Sequence, residues 1–416
     1  MANVTRKIGL SLGADLCWPG CYEEILKRLQ LLIPHDGDQV GFEIERVTVE
    51  PYSLEQPCKY DVVIDRLTHW YHTSREWIKK SILMDDLYVY NNPWSIQSME
   101  KQTSYCAMMR LGLPVPGTWM IPPKSYEHHA DLQTTLERYA QLFDLDDIGD
   151  QVGYPLFMKP YDGGAWRGVN RIADAEALKA AYEDSGQNIM HLQQSVEGFD
   201  RFVRCIGLGP QFLLVSYDPS APLHDRYEMK LEFVNDEERS LLEDMGMTIN
   251  SFFGWDFNSC ESLHRDGVWY PIDFANACPD SQVTSLHYFF PWIVMANIRW
   301  SIYCATTRRK MPLTLDWEPY FEIAREDMSY REKLAAYAAI GHKRMETDRF
   351  NEFCDQHLSN LEDVAREYLG TDGAKETIRK KVSALFPEHE VEEFTEHFWG
   401  RIQNWRENPA GTFAGY

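Results

Sequence analysis

The sequence predicts an α/β fold followed by an all-helical C-terminal region. Strand-like apolar runs alternate with helical ones through the first hundred residues, and two strand-like runs flank the turn RDG within residues 252–276. Helical periodicity then dominates from about residue 313 to the end. Alternation of strands and helices is typical of a parallel sheet covered by helices. A chain of 416 residues is long enough to form two or three domains around substantial cores.

The N-terminal region contains the alternating elements. Its strands are expected at KIGLSLG (7–13), VGFEIERVTV (40–49), KYDVVIDRL (59–67) and LYVYNNP (87–93), and its helices at YEEILKRLQLLI (22–33) and from Ser74 to Leu83. In such sheets ligands bind beyond the carboxyl ends of the strands. The loops after the strands at 7–13 and 59–67 therefore hold the candidate residues for substrate selectivity. These are Asp15, Cys17, Trp18, Arg66, His69 and Tyr71.

Arg66 has two interpretations at this stage. Its planar guanidinium group could hold a substrate carboxylate through two hydrogen bonds. An arginine at a strand end is, however, more often one partner of a structural ion pair. The second interpretation is the favoured one.

The middle and the end of the chain supply further helices and one hairpin. SIQSMEKQTSYCAMMRLGL (95–113) is expected to be a helix that ends at Gly112, and residues 235–249 form another with an acidic first turn. Residues 252–276 are expected to form a hairpin of two strands around RDG. The C-terminal helices are REKLAAYAAIGHKRM, LSNLEDVAREYL, KETIRKKVSALF and EVEEFTEHFWGRIQNW. We interpret this helical region as a cap or an interaction surface.

Composition and charge exclude several classes of function. The formal net charge is −23 and no basic stripe interrupts it, so nucleic-acid binding is disfavoured and an anionic ligand needs a local cluster of cations. No apolar run approaches the roughly 18 residues that span a bilayer, and the N-terminus lacks the apolar core of a signal peptide. The nine cysteines are scattered without metal-binding spacing. Reduced thiols in a cytoplasmic protein are therefore expected.

The stretch FMKPYDGGAWRGVNRI (157–172) is the first candidate binding site. An apolar strand carries Lys159, and a run with Gly163, Gly164 and Gly168 follows at once. Glycines let backbone N–H groups approach an anion, and lysine adds a positive charge, so this pattern favours phosphate. An ordinary glycine-rich hairpin is the alternative interpretation.

The hairpin at 252–276 is the second candidate site. Glu261 and Asp273 are each six residues from Gly267, so pairing through the turn places them opposite each other, with Asn276 just beyond. Facing carboxylates repel unless a positive charge lies between them. Two carboxylates and an amide oxygen suit Mg²⁺, which bridges nucleotide phosphates. A solvated hairpin edge is the alternative.

The order of these pieces resembles the ATP-grasp superfamily of carboxylate–amine and carboxylate–thiol ligases. The matching pieces lie within residues 98–290: a helix with Lys101, GLPVPGT, the KP and glycine-rich loop, HLQQSVEGFD (191–200), and the strand pair ending in IDFAN. The resemblance implies an N-terminal pre-ATP-grasp α/β domain (1–97), an ATP-grasp domain of two α+β subdomains (98–190 and 191–310), and an appended helical region (311–416).

The resemblance also implies contacts to ATP, taken residue by residue. Lys101 and Lys159 would contact the phosphates, and the loop containing Gly163, Gly164 and Gly168 would close over them. At the hinge, Gln193 stands where the family usually has a glutamate that accepts from the adenine amino group. Val196 would offer its backbone to adenine, and Asp200 would hold the ribose hydroxyl groups.

Further roles follow for the transferred phosphate and for the metal. Arg204 and Lys230 would supply catalytic positive charge, although both also read as surface cations on strands. Glu261, Asp273 and Asn276 would hold Mg²⁺ or Mn²⁺. IDFAN departs from the family's E-x-N spacing by one residue, and a bulge at residues 274–275 would bring both of its polar side chains to one face.

The resemblance implies that a carboxylate is phosphorylated by ATP and that the acyl phosphate is attacked by an amine or a thiol. The partners would then be small-molecule acids, amines and thiols, without nucleic acid or membrane, and a homodimer is the default expectation. Two alternatives remain: a regulatory nucleotide-binding protein without ligase activity, and a small-molecule kinase. Gln193 and IDFAN favour the regulatory alternative, whereas the lysines and the acidic pair favour the ligase.

Overall fold

The computed structural model describes residues 3–48, 51–67, 71–96, 100–139, 143–161, 168–276 and 278–408. The chain divides into two compact units, each built from separate stretches of sequence. Unit 1 comprises Met1–Gln97, Val203–Cys260 and Ala277–Tyr416, and unit 2 comprises Ser98–Phe202 and Glu261–Asn276. The chain therefore passes between the units four times. The three-domain division expected from the sequence stays a prediction.

Strands and helices alternate through the first two thirds of the chain. The strands are β1 (Asn3–Ser11), β2 (Ile33–His35), β3 (Asp38–Arg46), β4 (Val62–Asp65), β5 (Tyr88–Tyr90), β6 (Thr118–Ile121), β7 (Leu156–Pro160), β8 (Asn170–Ile172), β9 (Met190–Gln194), β10 (Arg201–Leu208), β11 (Gln211–Tyr217), β12 (Tyr227–Glu228), β13 (Phe257–Arg265) and β14 (Val268–Asp273). The helices are α1 (Trp18–Leu29), α2 (His72–Asp85), α3 (Pro93–Ile96), α4 (Lys101–Arg110), α5 (Ala130–Tyr139), α6 (Leu145–Val152), α7 (Ala175–Ser185), α8 (Asp236–Phe253), α9 (Val283–Leu286), α10 (Phe290–Thr307), α11 (Glu318–Arg325), α12 (Tyr330–Met345), α13 (Thr347–His357), α14 (Leu361–Tyr368), α15 (Asp372–Ser383) and α16 (Val391–Glu407).

The N-terminal sheet of unit 1 has the strand order β2-β3-β1-β4-β5. Strands β3, β1, β4 and β5 run parallel, and β2 joins β3 as an antiparallel edge. This arrangement confirms the α/β prediction for the first hundred residues. On one face of the sheet a core forms from Tyr60, Val63, Ile78, Ile82, Leu87 and Val89.

Helix α1 begins four residues before the predicted start at Tyr22. Trp18 and Pro19 form its first turn, where proline costs no hydrogen bond because the N–H groups there have no partner within the helix. The helix also ends earlier than predicted, because Gln30 adopts a left-handed conformation with φ of 47°.

The predicted helix over residues 95–113 is wrong as a single element. Glu100 has an extended backbone (φ −60°, ψ 135°), so α4 begins at Lys101 and is separate from α3. Residues 97–99 lie outside the described part of the chain. The predicted end is confirmed, since α4 stops at Arg110 and Gly112 has φ of 84°.

Strands β10, β11 and β12 pair antiparallel, and β13 pairs antiparallel with β14. The hairpin of β13 and β14 confirms the predicted hairpin, with strands shorter than the predicted span of 252–276. Residues 252 and 253 belong to α8, and residues 254–256 and 274–276 lie outside the two strands. The central turn residues of the hairpin, Asp266 and Gly267, have φ of 53° and 77°, as a type I′ turn requires.

Unit 2 contains a four-stranded antiparallel sheet in the order β6-β9-β7-β8. Helices α6 and α7 each bury one apolar stripe against it, with Ile148 and Val152 on α6 and Leu178 and Tyr182 on α7. Their spacing of four residues places each pair on one helix face. Beyond this core, β7 and β9 also carry polar residues in their interior.

The C-terminal helices confirm the prediction of a helical region. Capping boxes start α8 at Asn235 with Glu238 and α12 at Ser329 with Glu332. Gly341 of α12 lies so close to Met247 of α8 that an added Cβ would meet its Cγ at 2.5 Å, so glycine is required at this crossing. In the part of the chain that the structure describes, no helix combines the length and apolar character needed to cross a membrane.

Asp256 is the centre of a buried polar cluster in unit 1. Its carboxylate accepts hydrogen bonds from the Tyr88 hydroxyl group, from Nε1 of Trp300 at 3.1 Å and from Nη2 of Arg344 at 2.8 Å. Arg309 extends the cluster by donating to the Tyr88 hydroxyl oxygen at 3.0 Å. Because these donors come from β5, α10 and α12 and their flanks, the cluster ties the helical region to the parallel sheet within unit 1.

Candidate functional site

Lys159 lies in β7, as predicted, with its side chain inside unit 2. Its residue surface is only 8% exposed. Nζ donates to Oε1 of Gln193 on the neighbouring strand β9 at 2.7 Å and to the backbone oxygen of Ile272 at 3.4 Å. Among the described residues both hydrogen-bond partners are neutral, so the ammonium charge is buried without a bonded carboxylate.

Lys101 lies at the first position of α4 and reaches the acidic hairpin. Nζ is 3.3 Å from each carboxylate oxygen of Asp273. Its backbone N–H donates to the carbonyl oxygen of Tyr161 at 3.0 Å, which ties the start of α4 to the end of β7. The structure therefore brings Lys101, which was predicted to contact phosphate, to Asp273, which was predicted to hold the metal ion. The two residues are 172 positions apart in sequence.

Burial and like charges perturb the titration of this cluster. Burial, with a smaller contribution from Lys101, lowers the pKa of Lys159 to about 8, although Asp273 and Glu261 oppose the change. His191 on β9 is also affected: burial and the two lysines lower its pKa to about 4, so it stays neutral at physiological pH. Its Nε2 donates to the amide oxygen of Gln102 at 3.0 Å. His191 was not foreseen from the sequence.

The predicted pairing of Glu261 with Asp273 is confirmed. The two residues are direct partners across β13 and β14, and Glu261 is 4% exposed. The predicted bulge at residues 274–275 is wrong. The register shifts between Glu261 and Ser262, which pairs with Pro271, so the extra residue on β14 is Ile272. Because β14 ends at Asp273, Asn276 lies beyond the ladder, and its metal role stays a prediction.

The donor set of this hairpin fits a hard divalent ion. Opposed carboxylates lie within about 5.5 Å at Cβ and repel unless a cation joins them. The described residues contain no group of three or more His, Cys, Asp or Glu side chains placed to hold a metal ion. Glu261 and Asp273 would therefore hold Mg²⁺ as two carboxylate ligands, and one or two carboxylates are the usual protein contribution to a Mg²⁺ site.

Gln193 is hydrogen-bonded at both ends of its amide group. Its Oε1 accepts from Lys159 at 2.7 Å, and its Nε2 donates to Oγ1 of Thr118 at 3.0 Å. Because an amide oxygen can accept two hydrogen bonds, its expected contact with adenine stays a prediction. Val196 follows β9 and is 6% exposed; its predicted backbone role stays untested.

Asp200 is held by a residue that the sequence reasoning missed. Nδ1 of His264 on β13 donates to its carboxylate at 2.6 Å, and the Asp200 backbone N–H donates to the His264 carbonyl oxygen at 3.1 Å. The hydrogen bond from His264 lowers the pKa of Asp200. The only sequence signal was the position of His264 close to the RDG turn, which places it near the chain following β9 once the strands pair.

The glycine-rich loop falls mainly outside the described residues. Gly163 and Gly164 lie outside the described residues, so the expected contact of this loop with phosphate stays a prediction. Gly168 is described and has φ of 71°, and an added Cβ would lie 2.9 Å from Cγ of Pro160. Only glycine fits this position without strain.

Arg204 and Lys230 belong to unit 1. Arg204 on β10 donates to the Tyr227 hydroxyl group, and its guanidinium carbon lies 5.7 Å from the ring centre of Tyr217. Lys230 forms an ion pair with Glu228 at 2.6 Å. The expectation that Lys230 lies on a strand is wrong, because β12 ends at Glu228. The catalytic roles of both residues stay predictions.

Arg66 forms a buried ion pair within unit 1. Its Nε and Nη2 lie 3.2 and 3.4 Å from the two carboxylate oxygens of Asp15, which confirms the favoured interpretation of a structural pair. Cys17 and Trp18 are both 1% exposed and pack in the core. His69 lies outside the described residues.

Comparison with known proteins agrees with the resemblance drawn from the motifs. The D-alanine–D-alanine ligase of Burkholderia pseudomallei strain 668 is 31% identical over 81 residues, which are 19% of this chain. This chain resembles ATP-grasp ligases. The predicted resemblance is thereby confirmed. The match spans about a quarter (26%) of the length of that relative, and no protein-family model matches the chain.

Solved structures with a similar chain trace include two further proteins. The D-alanine–D-alanine ligase from Bacillus anthracis in complex with ATP has a TM-score of 0.48 at 13% identity, covering 82% of this chain and 99% of that one. The RimK domain protein ATP-grasp from Sphaerobacter thermophilus has a TM-score of 0.45 at 13% identity, covering 66% and 92%.

Proposed function

We propose that the protein is an ATP-dependent ligase that activates a carboxylate as an acyl phosphate and joins it to an amine, with ADP and phosphate as the other products. A thiol in place of the amine is the finer alternative within the same chemistry. The observation that carries this proposal is the convergence, inside unit 2, of Lys101 and Lys159 with Glu261 and Asp273.

The electrostatics of this cluster support binding of a phosphate with its metal ion. Lys159 carries a buried charge whose hydrogen-bond partners, among the described residues, are neutral, and a phosphate oxygen would offset that cost of burial. Lys101 already neutralises Asp273 at 3.3 Å. If Asp273 held Mg²⁺ instead, Lys101 would be available to a phosphate oxygen.

The positions of these residues suggest a separate catalytic role for each of them. Glu261 and Asp273 would hold Mg²⁺, which would supply positive charge to the transferred phosphate group. Lys101 and Lys159 would orient the phosphates and stabilise the negative charge that moves during transfer. Gln193 fixes the ammonium group of Lys159 through a 2.7 Å hydrogen bond. Such chemistry needs no nucleophilic side chain, because the attacking groups belong to the substrates.

The relatives suggest where the search for substrates begins. By name, the curated relative joins D-alanine to D-alanine, so amino acids and small peptides come first among the acids and amines to test. The regulatory alternative has one specific observation in its favour. Gln193 stands where the family usually has a glutamate, and its amide oxygen already accepts from Lys159, so it offers the adenine amino group a neutral and shared acceptor.

The decisive experiment measures ADP release with Mg-ATP. Pooled amino acids and small carboxylic acids are crossed with pooled amines and thiols, and positive wells are examined by mass spectrometry. We expect ADP only when one acid and one nucleophile are both present, with a product lighter than their sum by one water. A phosphorylated product instead would identify a kinase.

Matched lysine variants control this experiment. Lys159→Ala should abolish ADP release, whereas Lys124→Ala should retain it, because Lys124 is an exposed residue of unit 2 that pairs with Glu183. Binding of ATP without turnover in any pool would favour the regulatory alternative. Unchanged ADP release by Lys159→Ala would contradict the proposed site.

A further inference from the structure

The chain that follows β11 carries Lys230, which the resemblance assigns to the transferred phosphate. It forms a 3₁₀ turn at Leu223–Asp225 and pairs with β11 again through the two residues of β12. We refer to residues 218–230 as the β12 segment. A strand of two residues supplies few backbone hydrogen bonds, so the segment needs further support to keep one conformation.

Lys230 is held mainly through the backbone of this segment. Its side chain is 62% exposed and forms an ion pair with Glu228 at 2.6 Å, and exposed ion pairs of this kind restrict a side chain only weakly. Arg204, the other residue with a predicted catalytic role, donates to the hydroxyl group of Tyr227 in the same segment. The position of the β12 segment therefore affects both predicted catalytic cations.

Arg401 of α16 contacts the β12 segment on both sides of the strand. Its Nη2 lies 3.4 Å from Oδ1 of Asp225, before the strand, and its Nη1 donates to Sδ of Met229 at 3.4 Å, after the strand. The planar guanidinium group presents its donors in a fixed geometry. One side chain of α16 thus bridges the two ends of β12, and Met229 directly precedes Lys230 in the chain.

His397 lies one helical turn before Arg401 and contacts the same carboxylate. Its Nε2 is 3.4 Å from Oδ1 of Asp225, and its ring meets the ring of His224 edge-on at 5.7 Å. Phe394 of α16 packs against His224 at 5.0 Å. Burial, followed by the nearby charge of Arg401, lowers the pKa of His397, so its imidazole is neutral at physiological pH. Arg401 is therefore the residue of α16 that brings positive charge to Asp225.

Helix α16 is anchored independently of this contact. Phe398, Ile402 and Trp405 are fully buried on it, and Arg366 of α14 donates to the carbonyl oxygen of Trp405 at 2.9 Å. Burial of three large apolar side chains stabilises the helix far more than one polar contact does. Because the side chain of Arg401 is 31% exposed, its truncation should leave α16 in place.

We propose that Arg401 positions Lys230 for phosphoryl transfer by holding the β12 segment at both ends of its strand. Arg401 acts on the chain that carries Lys230, so it is a positioning residue and not a catalytic one. The inference rests on the proposed function and on the catalytic role predicted for Lys230. The C-terminal helical region, which the sequence left as a cap or an interaction surface, then takes part in catalysis.

Steady-state kinetics of the intact protein test this inference with Mg-ATP and the substrates that the ADP-release screen identifies. Arg401→Ala should lower kcat about tenfold and change KM for ATP by less than about twofold, because Lys230 is expected to act on charge that moves in the transition state. Arg401→Lys keeps a positive charge near Asp225, so its kcat should lie within about threefold of that of the unmodified protein.

Arg379→Ala is the matched control for Arg401→Ala. The side chain of Arg379 is 35% exposed and joins α15 to α16 by pairing with Glu392. Its truncation removes an arginine contact of the same helix at a similar exposure. We expect kcat of Arg379→Ala to stay within about twofold of that of the unmodified protein.

A double variant separates positioning from a general effect on the fold. If Arg401 acts through Lys230, adding Arg401→Ala to Lys230→Ala should lower kcat by less than about twofold further. A general effect on the fold would instead lower kcat by the same factor in both backgrounds.

Hydrogen exchange tests the contact without reference to activity. Amide exchange of peptides covering residues 218–230, measured by mass spectrometry, should be at least about threefold faster in Arg401→Ala than in the unmodified protein. Arg379→Ala should exchange normally. If Arg401→Ala does not fold, Asp225→Asn removes the charge from the other side of the contact and should give the same changes in exchange and in kcat.

Three results would overturn the proposal: unchanged exchange of residues 218–230 in Arg401→Ala, full additivity of Arg401→Ala with Lys230→Ala, or an equal loss of kcat in Arg379→Ala. Failure of the proposed function looks different, since the unmodified protein would then show no ligase activity. Faster exchange in Arg401→Ala would in that case still support the contact of α16 with the β12 segment, whereas a part in ligation would be contradicted.

Discussion

Two buried clusters differ in the groups that bind their central charge. In unit 1, the Asp256 carboxylate is bound by the positive charge of Arg344 at 2.8 Å and by two neutral donors, Tyr88 and Trp300. In unit 2, Lys159 donates to a neutral amide and a neutral carbonyl among the described residues, and its pKa falls to about 8. The central carboxylate of the first cluster has a cationic donor within the protein, whereas the central ammonium group of the second would gain stability from an added anion. We therefore expect the first cluster to serve stability and the second to serve binding.

The largest effect that would test this contrast comes from the acidic hairpin. Replacing both Glu261 and Asp273 by alanine should lower Mg-ATP turnover at least about a thousandfold, because metal ions contribute several kcal/mol to phosphoryl transfer. Steady-state ADP release measures it. Glu183→Ala, on the exposed surface of unit 2, is the control. Full activity in the double variant would contradict the proposal that Glu261 and Asp273 hold Mg²⁺.

Disruption of the Asp256 cluster should lower the stability of the fold and should not act on the catalytic step. Asp256→Ala leaves Arg344 and Trp300 without their buried acceptor, and we expect a loss of about 3–5 kcal/mol in the free energy of unfolding. Denaturant titration measures it. The exposed Asp355→Ala should change stability by less than about 0.5 kcal/mol. A loss as small as that in Asp256→Ala would mean that its cluster is not structural.

The pKa of Lys159 predicts a pH dependence of ATP binding. As the pH rises through about 8, the folded protein loses the ammonium charge, so ATP affinity should fall by up to about tenfold per pH unit. Lys159→Arg should show no such fall between pH 8 and 10, since arginine stays charged. Identical profiles for the two proteins would place the titration elsewhere.

Stability should move in the opposite direction over the same range. In the unfolded chain Lys159 keeps its proton up to the ordinary value of 10.5, whereas burial lowers the pKa to about 8 in the folded state. The unfolded state therefore binds more protons between these values, and unfolding becomes less favourable as pH rises. Lys159→Met should lack this contribution to the rise in denaturation midpoint.

The smallest predicted effect concerns the support of Asp200. His264→Gln removes the imidazole that donates to Asp200 at 2.6 Å, and we expect KM for ATP to rise by about three- to tenfold with kcat little changed. His128→Gln, an exposed change in unit 2, is the control. A fall in kcat at unchanged KM would contradict a positioning role in ATP binding.

Local signals predicted the parts of the site that depend on short-range geometry. The RDG turn fixed the hairpin register, so Glu261 and Asp273 could be paired by counting residues from Gly267. Lys159 could be assigned to a strand because the residues around it are apolar. The same reasoning misplaced the bulge, since the register shift at Ile272 arises from pairing details that no turn residue reports.

Contacts between distant strands could not be predicted. The hydrogen bond from Lys159 to Gln193 could not be foreseen, because the pairing of β7 with β9 was unknown. His264 drew no attention because its hydrogen bond to Asp200 joins residues 64 apart in sequence. Arg66 was correctly favoured as an ion-pair partner, but its carboxylate partner, Asp15, lies 51 positions away in sequence and could not be named in advance.

The ion pair between Lys101 and Asp273 joins residues 172 positions apart, and this separation bears on synthesis at the ribosome. Most of unit 2 emerges as residues 98–202, but its last stretch, residues 261–276, follows only after 58 residues of unit 1 (203–260). Until then the nascent chain carries Lys101 without its acidic partner. The cluster of Lys101, Lys159, Glu261 and Asp273 is therefore assembled late in translation, and a product terminated before residue 261 contains both lysines but neither carboxylate.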